Sequence, residues 1–299
     1  MKVLFLVNKH KAKWVKCFKH HCLKKNSKQN TSFDYKLFSK EDRKKTFALS
    51  LKMTYDKIIV IDEYDSYGFI YFSKQKDFFC SNAYNSKLAQ LSILHNNANV
   101  LVIGYKTICC LKIIQIIKIF LSTTFEGGRH SKRLEILHNS FIESNSKTNV
   151  NFANHNDSII IASDHAGVEL KNKIIFYLNE KHFKVVDAGT YSKDSCDYPV
   201  FGIKLGQIML NQGQKGIVIC GSGMGICNTV NKFDYLRCIN AYKKSQLLNS
   251  FQYDVNVLGF GGRFISFMKA KKMVDLFLKN KTKVKNNSLA NCGLQLKSG

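Results

Sequence analysis

Short apolar runs alternate with longer amphipathic stretches throughout the second half of the chain. The apolar runs are SIIIAS, FKVVDAG, GIVIC and VNVLGFG, and the amphipathic stretches that separate and follow them are GVELKNKIIFYLNEK, FGIKLGQIMLNQG, GICNTVNKF and ISFMKAKKMVDLFLKNK. Short β-branched strands that alternate with helices predict a parallel sheet with helices on both faces. Ligands bind such sheets at the carboxyl ends of the strands. The segments SDHAG and CGSGMG, which each follow a strand, are therefore the first candidates for a site.

The first half of the chain contains a diverged version of the same pattern. Residues 80–108 are CSNAYNSKLAQLSILHNNANVLVIGYKTI, and residues 238–265 are CINAYKKSQLLNSFQYDVNVLGFGGRFI. With one gap, the CxNAY openings and the NVL strands align, and upstream IIVIDEYDSYG falls against IVICGSGMGI. A period of about 157 residues indicates a tandem duplication of one α/β unit. We predict a first repeat at 1–145, a linker at 146–156, a second repeat at 157–281 and a polar tail at 282–299.

The charge of the chain is strongly positive. Lys and Arg total 46 against 21 acidic residues, which gives a formal net charge of +25 over 299 residues. The lysines are spread along the chain, and this favours a solvated lysine-rich surface over a localised patch for nucleic acid or an anionic membrane. The sequence has no aromatic-interleaved RNA motif and no DNA-reading helix. We expect neither nucleic acid nor membrane as a partner.

Cysteine usage and the apolar segments bear on the compartment. The ten cysteines are scattered, with no CxxC pair and no zinc spacing, so we predict no metal site. The opening MKVLFLVNK has too short an apolar run for a signal peptide, and Lys112 and Lys118 interrupt TICCLKIIQIIKIFL, which predicts a buried or amphipathic helix. We expect a soluble, reduced, cytoplasmic protein, with an organellar location left open.

The loop CGSGMG places Cys220 next to three alternate glycines, Gly221, Gly223 and Gly225. Glycines allow the backbone to approach a ligand closely, so successive N–H groups can line an anion cradle at the start of the next helix. A thiol in that position is expected to have a lowered pKa and to be partly thiolate near neutrality. The alternative is a tight strand-to-helix turn with an inert cysteine. The other nine cysteines have no such setting.

Two further segments of the second repeat carry polar side chains at strand ends or turns. Asp164 and His165 follow the first strand of the repeat, on the same edge of the predicted sheet as the glycine loop. In CDYP, Tyr198 precedes Pro199, the only proline of the chain. A tyrosine next to proline can present its hydroxyl group to a ligand, and a turn with a packing tyrosine is the alternative.

The first repeat has a different set of candidates. LHNNANV places His95 and Asn96 just before a strand, and FEGGRHSKRLEIL places Arg129 and Arg133 four residues apart at a helix start. Residues at that spacing share one helix face, and two guanidiniums there suit a phosphate. The alternative is a solvated basic helix face.

Together these motifs resemble the ribose-5-phosphate isomerase type B family, which includes galactose-6-phosphate isomerase subunits. SDHAG, DYP and CGSGMGI carry the resemblance over 157–281, and HNNANVL with EGGRHxxR carries it more weakly over 58–138. The resemblance implies two tandem Rossmann-like three-layer α/β units, each a parallel sheet with helices on both faces, paired as a pseudo-dimer, with further self-association left open. In that family two subunits pair and each active site is shared across their interface. The implied reaction is interconversion of ribose 5-phosphate and ribulose 5-phosphate in the pentose phosphate pathway, without a cofactor.

The resemblance also implies a role for each motif residue. Cys220 is the base that moves a proton between C1 and C2, and Ser222 with the loop Gly221–Gly225 stabilises the enediolate. His95 or Asp164 assists ring opening, and Asn96 and Tyr198 contact the sugar. The implied phosphate ligands are His165, Arg129, Arg133 and Lys106, the last of which aligns with Arg263 and with a phosphate-contacting arginine of the family.

Each repeat lacks the part of the motif set that the other retains. The first has Asp62 in place of Cys220 and EYDSY in place of the glycine loop, and its first strand ends in VNKHKA. The second has Gln252 and Tyr253 in place of His95 and Asn96, and its tail lacks EGGRH. We therefore predict one composite site built from both repeats. A degenerate sugar-phosphate-binding or scaffold protein, an isomerase of hexose 6-phosphates and a nucleic-acid binder remain as alternatives, and whether the arginine pair serves its own repeat or the other stays open.

Overall fold

The computed structural model describes residues 1–23, 31–144, 158–209 and 215–280. Described residues within Met1–Phe72 and Phe78–Glu126 form one compact unit, and those within Ser73–Asp77 and Gly127–Cys292 form a second. The predicted linker at 146–156 and polar tail at 282–299 lie outside the described residues. None of the helices in the described ranges is long and apolar enough to cross a membrane.

The first unit contains a five-stranded parallel sheet in the order β2-β1-β3-β5-β4. Its strands are β1 (Lys2–Asn8), β2 (Ser32–Phe38), β3 (Lys57–Asp62), β4 (Cys80–Ser81) and β5 (Val100–Gly104). Its helices are α1 (Trp14–Leu23), α2 (Arg43–Leu51), α3 (Ser66–Ser73), α4 (Ser86–Asn96) and α5 (Cys110–Ser122). Helix α5 is the segment that the lysine-interrupted apolar run predicts, and six of its apolar side chains are buried.

The second unit repeats this topology with strands in the order β7-β6-β8-β10-β9. Its strands are β6 (Ile159–Ser163), β7 (Val185–Asp187), β8 (Lys215–Cys220), β9 (Cys238–Asn240) and β10 (Val257–Gly261). Its helices are α6 (Arg129–Ser144), α7 (Val168–Glu180), α8 (Tyr198–Ile208), α9 (Met224–Asn231), α10 (Lys244–Ser250) and α11 (Phe267–Lys279). The matching strand orders confirm the predicted pair of parallel α/β units.

Helices lie on both faces of the second sheet. Helix α8 packs against α9, and α7 packs against α11. Because parallel crossovers are right-handed, the pairs α8–α9 and α7–α11 cover opposite faces. Strands β6 and β10, which flank the central strand β8, are buried at every position, as expected for parallel strands covered on both sides.

Strand register shows which residues of the two sheets are equivalent. In the first sheet Val7 pairs with Ile61, and Asp62 pairs with Gly104. In the second sheet Ser163 pairs with Ile219, and Cys220 pairs with Gly261. Asp62 and Cys220 therefore occupy the same position at the carboxyl end of the central strand, and Asn8 is the counterpart of Asp164.

A lysine at the first position of each central strand is a second sign of the duplication. Lys57 Nζ donates to the carbonyl of Phe120 at the end of α5, over 2.6 Å. Lys215 Nζ donates to the carbonyls of Phe277 and Leu278 at the end of α11. A cation at a helix carboxyl terminus satisfies carbonyl groups that lack partners within the helix and interacts favourably with the helix dipole.

Candidate active site

Cys220 ends β8 and is 3% exposed, directly before the glycine loop. Gly223 has a φ of 81°, and a Cβ atom there would lie 2.1 Å from Asn240 Oδ1. Asn240 Nδ2 in turn donates to the Ser222 carbonyl over 3.1 Å. The left-handed backbone and the close amide side chain both require glycine at position 223. The loop is therefore held in one shape between Cys220 and the first residue of α9, Met224.

Burial raises the pKa of the Cys220 thiol well above its ordinary value. The Asp164 carboxylate raises it further, whereas hydrogen bonds from the backbone N–H groups of Ile226 and Gly223 lower it. The prediction of a lowered pKa, made from the glycine loop and the helix start, is therefore wrong. The physical reason is that full removal of the thiolate from water outweighs the loop amides.

Asp164 and His165 follow β6 at the same edge of the sheet. The Asp164 carboxylate is 6% exposed, and its Oδ1 accepts a hydrogen bond from the Ala166 backbone N–H over 2.9 Å. Burial raises the pKa of Asp164, and the neighbouring His165, the Ala166 N–H and the guanidinium of Arg133 lower it in part. Two buried acidic groups, Asp164 and Cys220, thus lie next to each other with raised pKa values.

Tyr198 is the first residue of α8, and its side chain is 5% exposed. A Cβ atom at Gly225 would lie 2.7 Å from Tyr198 Cζ, so the ring occupies the space that a side chain at 225 would fill. Burial raises the pKa of Tyr198, and the neighbouring Cys220 and Asp164 add to this effect. The predicted site residues Cys220, Asp164 and Tyr198 therefore surround one centre.

Helix α6, which begins at Arg129, belongs by its contacts to the second unit and packs against α8. Arg133 Nε donates to Asp197 Oδ1 over 2.8 Å, and its NH2 group donates to the Cys196 carbonyl over 3.3 Å. The Arg133 guanidinium lies 6.0 Å from the Tyr198 ring centre. Arg129, one turn earlier, is exposed. The arginine segment that follows the first repeat in sequence thus contacts the DYP segment of the second repeat.

Sequence reasoning missed three residues of this site. Asp197 and Cys196 precede Tyr198 in the CDYP motif, and we attributed the motif to its tyrosine alone. Arg263 was considered only as the counterpart of Lys106, yet its guanidinium lies 3.6 Å from the position of a Cβ at Gly221 and lowers the pKa of Asp164. The signal for Arg263 was its place directly after the carboxyl end of β10, the strand beside β8.

The remaining candidates lie in the first unit. His95 and Asn96 are the last residues of α4; His95 Nε2 is 3.9 Å from Glu126 Oε2, and Asn96 is buried. Lys106 is exposed, and its Nζ is 3.0 Å from Glu63 Oε2. His95 and Asn96 precede the amino end of the five-residue strand β5, whereas Lys106 follows its carboxyl end. Because such a strand spans about 16 Å, one sugar phosphate does not reach both ends of it.

The first unit has an ion pair where the second has Cys220 and Tyr198. Asp62 accepts hydrogen bonds from Arg43 NH1 over 2.7 Å and from Asn8 Nδ2 over 3.0 Å. Arg43 begins α2 as Tyr198 begins α8, and its guanidinium lies 3.8 Å from the ring centre of Tyr67. Tyr67 is the second residue of α3, the position of Gly225 in α9. The first unit's own centre is filled by its side chains.

Comparison with known proteins finds the same family in both halves of the chain. A family model described as Ribose/Galactose Isomerase matches residues 6–137 and again residues 159–291. Ribose-5-phosphate isomerase B of Escherichia coli K12 is 35% identical over 122 residues, which is 40% of this chain and 82% of that protein. Galactose-6-phosphate isomerase subunit LacB of Clostridium acetobutylicum is 32% identical over 127 residues, 42% of this chain and 73% of that protein. A solved structure of ribose-5-phosphate isomerase B from Mycoplasma genitalium with bound ribulose-5-phosphate is 31% identical and covers 46% of this chain and 93% of that chain, with a TM-score of 0.42.

Proposed function

Because the chain belongs to the ribose/galactose isomerase family, we propose that it interconverts the aldose and ketose forms of a sugar phosphate, with ribose 5-phosphate and ribulose 5-phosphate as the pair. The observation that carries the proposal is the buried Cys220 thiol between Asp164, Tyr198 and the glycine loop. Aldose–ketose isomerisation needs one group that moves a proton between adjacent carbons and donors that hold the developing oxyanion. The reaction belongs to pentose phosphate metabolism, and the proposed location is the cytoplasm.

The proton transfers begin with the pair Cys220 and Asp164. The Asp164 carboxylate takes the thiol proton, which leaves a Cys220 thiolate and a neutral Asp164. The thiolate removes the proton from C2 of the open-chain aldose, and the negative charge moves to the oxygen on C1. Neutral Asp164 gives its proton to that oxygen and then takes the proton of the C2 hydroxyl. The Cys220 thiol gives its proton to C1 and the carbonyl forms at C2. Asp164 then returns the proton taken from the C2 hydroxyl to the Cys220 thiolate, which restores the starting carboxylate and thiol.

The backbone of the glycine loop supports the enediolate during these transfers. Ser222 and the N–H groups of the loop donate to the oxyanion on C1, at the start of α9 where the helix dipole favours negative charge. Oxyanion donors of this kind are each worth about 10²–10³-fold in rate. The Tyr198 ring excludes water from the same centre because it fills the space beside Gly225.

The phosphate is held at the other end of the substrate by cationic and N–H donors. Arg133 is fixed by Asp197, so its remaining N–H groups are oriented before the substrate arrives. Arg263 lies next to Gly221 in the second unit, close to Cys220. We therefore assign the phosphate contact to Arg263 and not to Lys106, the residue aligned with it in the first unit. His165 and Arg129 complete the proposed phosphate ligands.

We include His95 and Asn96 of the first repeat in the same site, with the two repeats as an internal pseudo-dimer. The support is the complementary loss of motifs: the second repeat has Gln252 and Tyr253 where the first has His95 and Asn96. His95 would move a proton on the ring oxygen as the sugar opens. The matched test is His95→Ala against Gln252→Ala in the full chain. His95→Ala lowers turnover while Gln252→Ala leaves it unchanged; equal turnover in both would remove the shared site from the proposal.

A hexose 6-phosphate is the second candidate substrate, favoured by the similarity to a galactose-6-phosphate isomerase subunit. The deciding experiment measures turnover of ribose 5-phosphate, ribulose 5-phosphate, allose 6-phosphate and galactose 6-phosphate by the full chain. The proposal predicts that the pentose phosphates have the highest kcat/KM. Higher kcat/KM with a hexose phosphate would reassign the substrate, and binding of sugar phosphates without turnover of any would support a degenerate binding or scaffold protein.

A further inference from the structure

Cys196 connects two of the loops that form the site in the second unit. Its backbone N–H donates to His165 Nδ1 over 3.1 Å, and its Sγ accepts from the His165 backbone N–H over 3.2 Å. Its carbonyl accepts from Arg133 NH2 over 3.3 Å. All three polar groups of Cys196 therefore contact groups of the proposed phosphate site, across 31 residues of sequence to His165.

These contacts constrain the hydrogen-bonding role of the His165 Nδ1 atom. A backbone N–H can only donate, so His165 Nδ1 must act as an acceptor and carries no proton. The Cys196 Sγ atom also lies 3.7 Å from Nδ1, and a neutral thiol adds a second weak donor toward the same nitrogen. Burial raises the pKa of the Cys196 thiol, which keeps that group neutral. An imidazolium would direct an N–H of the ring against these donors.

We propose that Cys196 is a positioning residue that holds His165 as the neutral tautomer protonated at Nε2. His165 then offers a single directed N–H to a substrate oxygen, while the adjacent Arg133, bound to the same residue's carbonyl, supplies the positive charge. The identity of that oxygen as part of a sugar phosphate rests on the proposed function. The tautomer rests only on the hydrogen bonds of Cys196.

The consequence for the reaction is a separation of two roles at the phosphate end. The charged Arg133 guanidinium attracts the phosphate dianion. The neutral His165 ring fixes the orientation of the phosphate and has no acidic imidazolium proton to transfer to the substrate. Loss of the Cys196 side chain removes the acceptor for the His165 main-chain N–H and the thiol next to Nδ1. The Cys196 loop is then joined to His165 only through its backbone N–H and Nδ1. That bond opens more often without the Sγ contact, so the ring samples both tautomers and substrate binding weakens more than the chemical step does.

The direct test is a long-range proton–nitrogen spectrum of the full chain labelled with nitrogen-15 at histidine, with the His165 signals assigned by their loss in His165→Asn. We expect Nε2 as the protonated nitrogen and Nδ1 as the unprotonated one. In Cys196→Ala we expect signals of mixed tautomers and a KM raised about tenfold with kcat within about twofold, because one hydrogen-bonded contact is lost. Cys196→Ser, which retains an acceptor at this position, restores part of both, and Cys109→Ala, an exposed thiol of the first unit, changes neither.

Protonation at Nδ1 in the wild type, or unchanged spectra and KM in Cys196→Ala, would overturn the inference. The spectrum does not depend on turnover. An inactive wild-type chain with His165 protonated at Nε2 would refute the proposed function alone, and an active chain with His165 protonated at Nδ1 would refute the role of Cys196 alone.

Discussion

Arg43 and Asp62 form a buried ion pair, 2.7 Å from NH1 to Oδ2, at the position in the first sheet where the second sheet has Tyr198 and Cys220. The thiol and the phenol of one unit correspond to a carboxylate and a guanidinium in the other. The two charged residues occur together because a buried carboxylate alone would be energetically costly, and the Arg43 guanidinium compensates for the charge of Asp62. The first unit thus has a structural pair where the second has its proposed reaction centre.

Asp62→Asn is expected to destabilise the protein by about 3 kcal/mol, because it leaves the Arg43 guanidinium without its charged partner at a site where the two side chains are 11% and 3% exposed. Urea unfolding of the full chain measures the change. The control Lys9→Met removes an exposed ion pair with Asp42 and should leave stability nearly unchanged. Isomerase turnover per folded molecule should be retained in Asp62→Asn. A stable Asp62→Asn variant would contradict the structural role of the pair.

Gly225→Ala is expected to abolish most of the activity, because its Cβ would lie 2.7 Å from the Tyr198 ring and force the ring out of the centre. Tyr198→Phe removes only the hydroxyl group and keeps the ring, so its loss of kcat/KM should be clearly smaller. Steady-state kinetics on both variants, with circular dichroism to verify folding, make the comparison. Equal kinetics of Gly225→Ala and wild type would show that the ring position is unimportant.

Arg133→Ala is expected to raise KM at least tenfold, because Arg133 is held in place by Asp197 and the Cys196 carbonyl. Arg129→Ala should raise KM less, since Arg129 is exposed and begins the helix. Lys132→Ala provides the control for charge alone, because Lys132 is an exposed cation on the same turn. Equal effects of all three substitutions would indicate general electrostatic attraction instead of a built phosphate site.

Alkylation of Cys220 by iodoacetamide should accelerate about tenfold per pH unit from pH 7 to pH 9 without a plateau, because its pKa is raised and the thiolate is the reactive form. Peptide mass spectrometry isolates the Cys220 rate from that of the exposed Cys109. Asp164→Asn removes a charge that raises this pKa, so the rate at fixed pH should increase. A plateau of the wild-type rate below pH 8.5 would show that the pKa of Cys220 is lowered, as the glycine loop in the sequence indicates.

Much of the fold could be predicted from the sequence, because the strands of a covered parallel sheet are continuous apolar runs and the repeat is long. β9 was not identified as a strand because it has only three residues, and the seven-residue α10 after it is short. The strand β9 forms by pairing with β10, which no local pattern reveals.

The sequence places the candidate residues correctly at strand ends: Cys220 ends β8, and Asp164 and His165 follow β6. The pKa of Cys220 was not predictable, because the sequence does not show how completely the thiol is removed from water. Cys196 was missed because its contact with His165 joins two loops far apart in sequence. Lys106 and Arg263 each follow the carboxyl end of equivalent strands, so alignment of the repeats alone does not show that Arg263 is the one beside Cys220.

The most direct test of the account is turnover of ribose 5-phosphate in deuterium oxide by the full chain and by Cys220→Ala, with Cys109→Ala as the control. The wild type and the control should incorporate solvent deuterium at C1 or C2 as the sugars interconvert. Cys220→Ala should lose about 10²–10⁴-fold in kcat, with KM changed little and no deuterium incorporated above background. Near wild-type turnover and deuterium incorporation in a folded Cys220→Ala variant would contradict the assignment of Cys220 as the base.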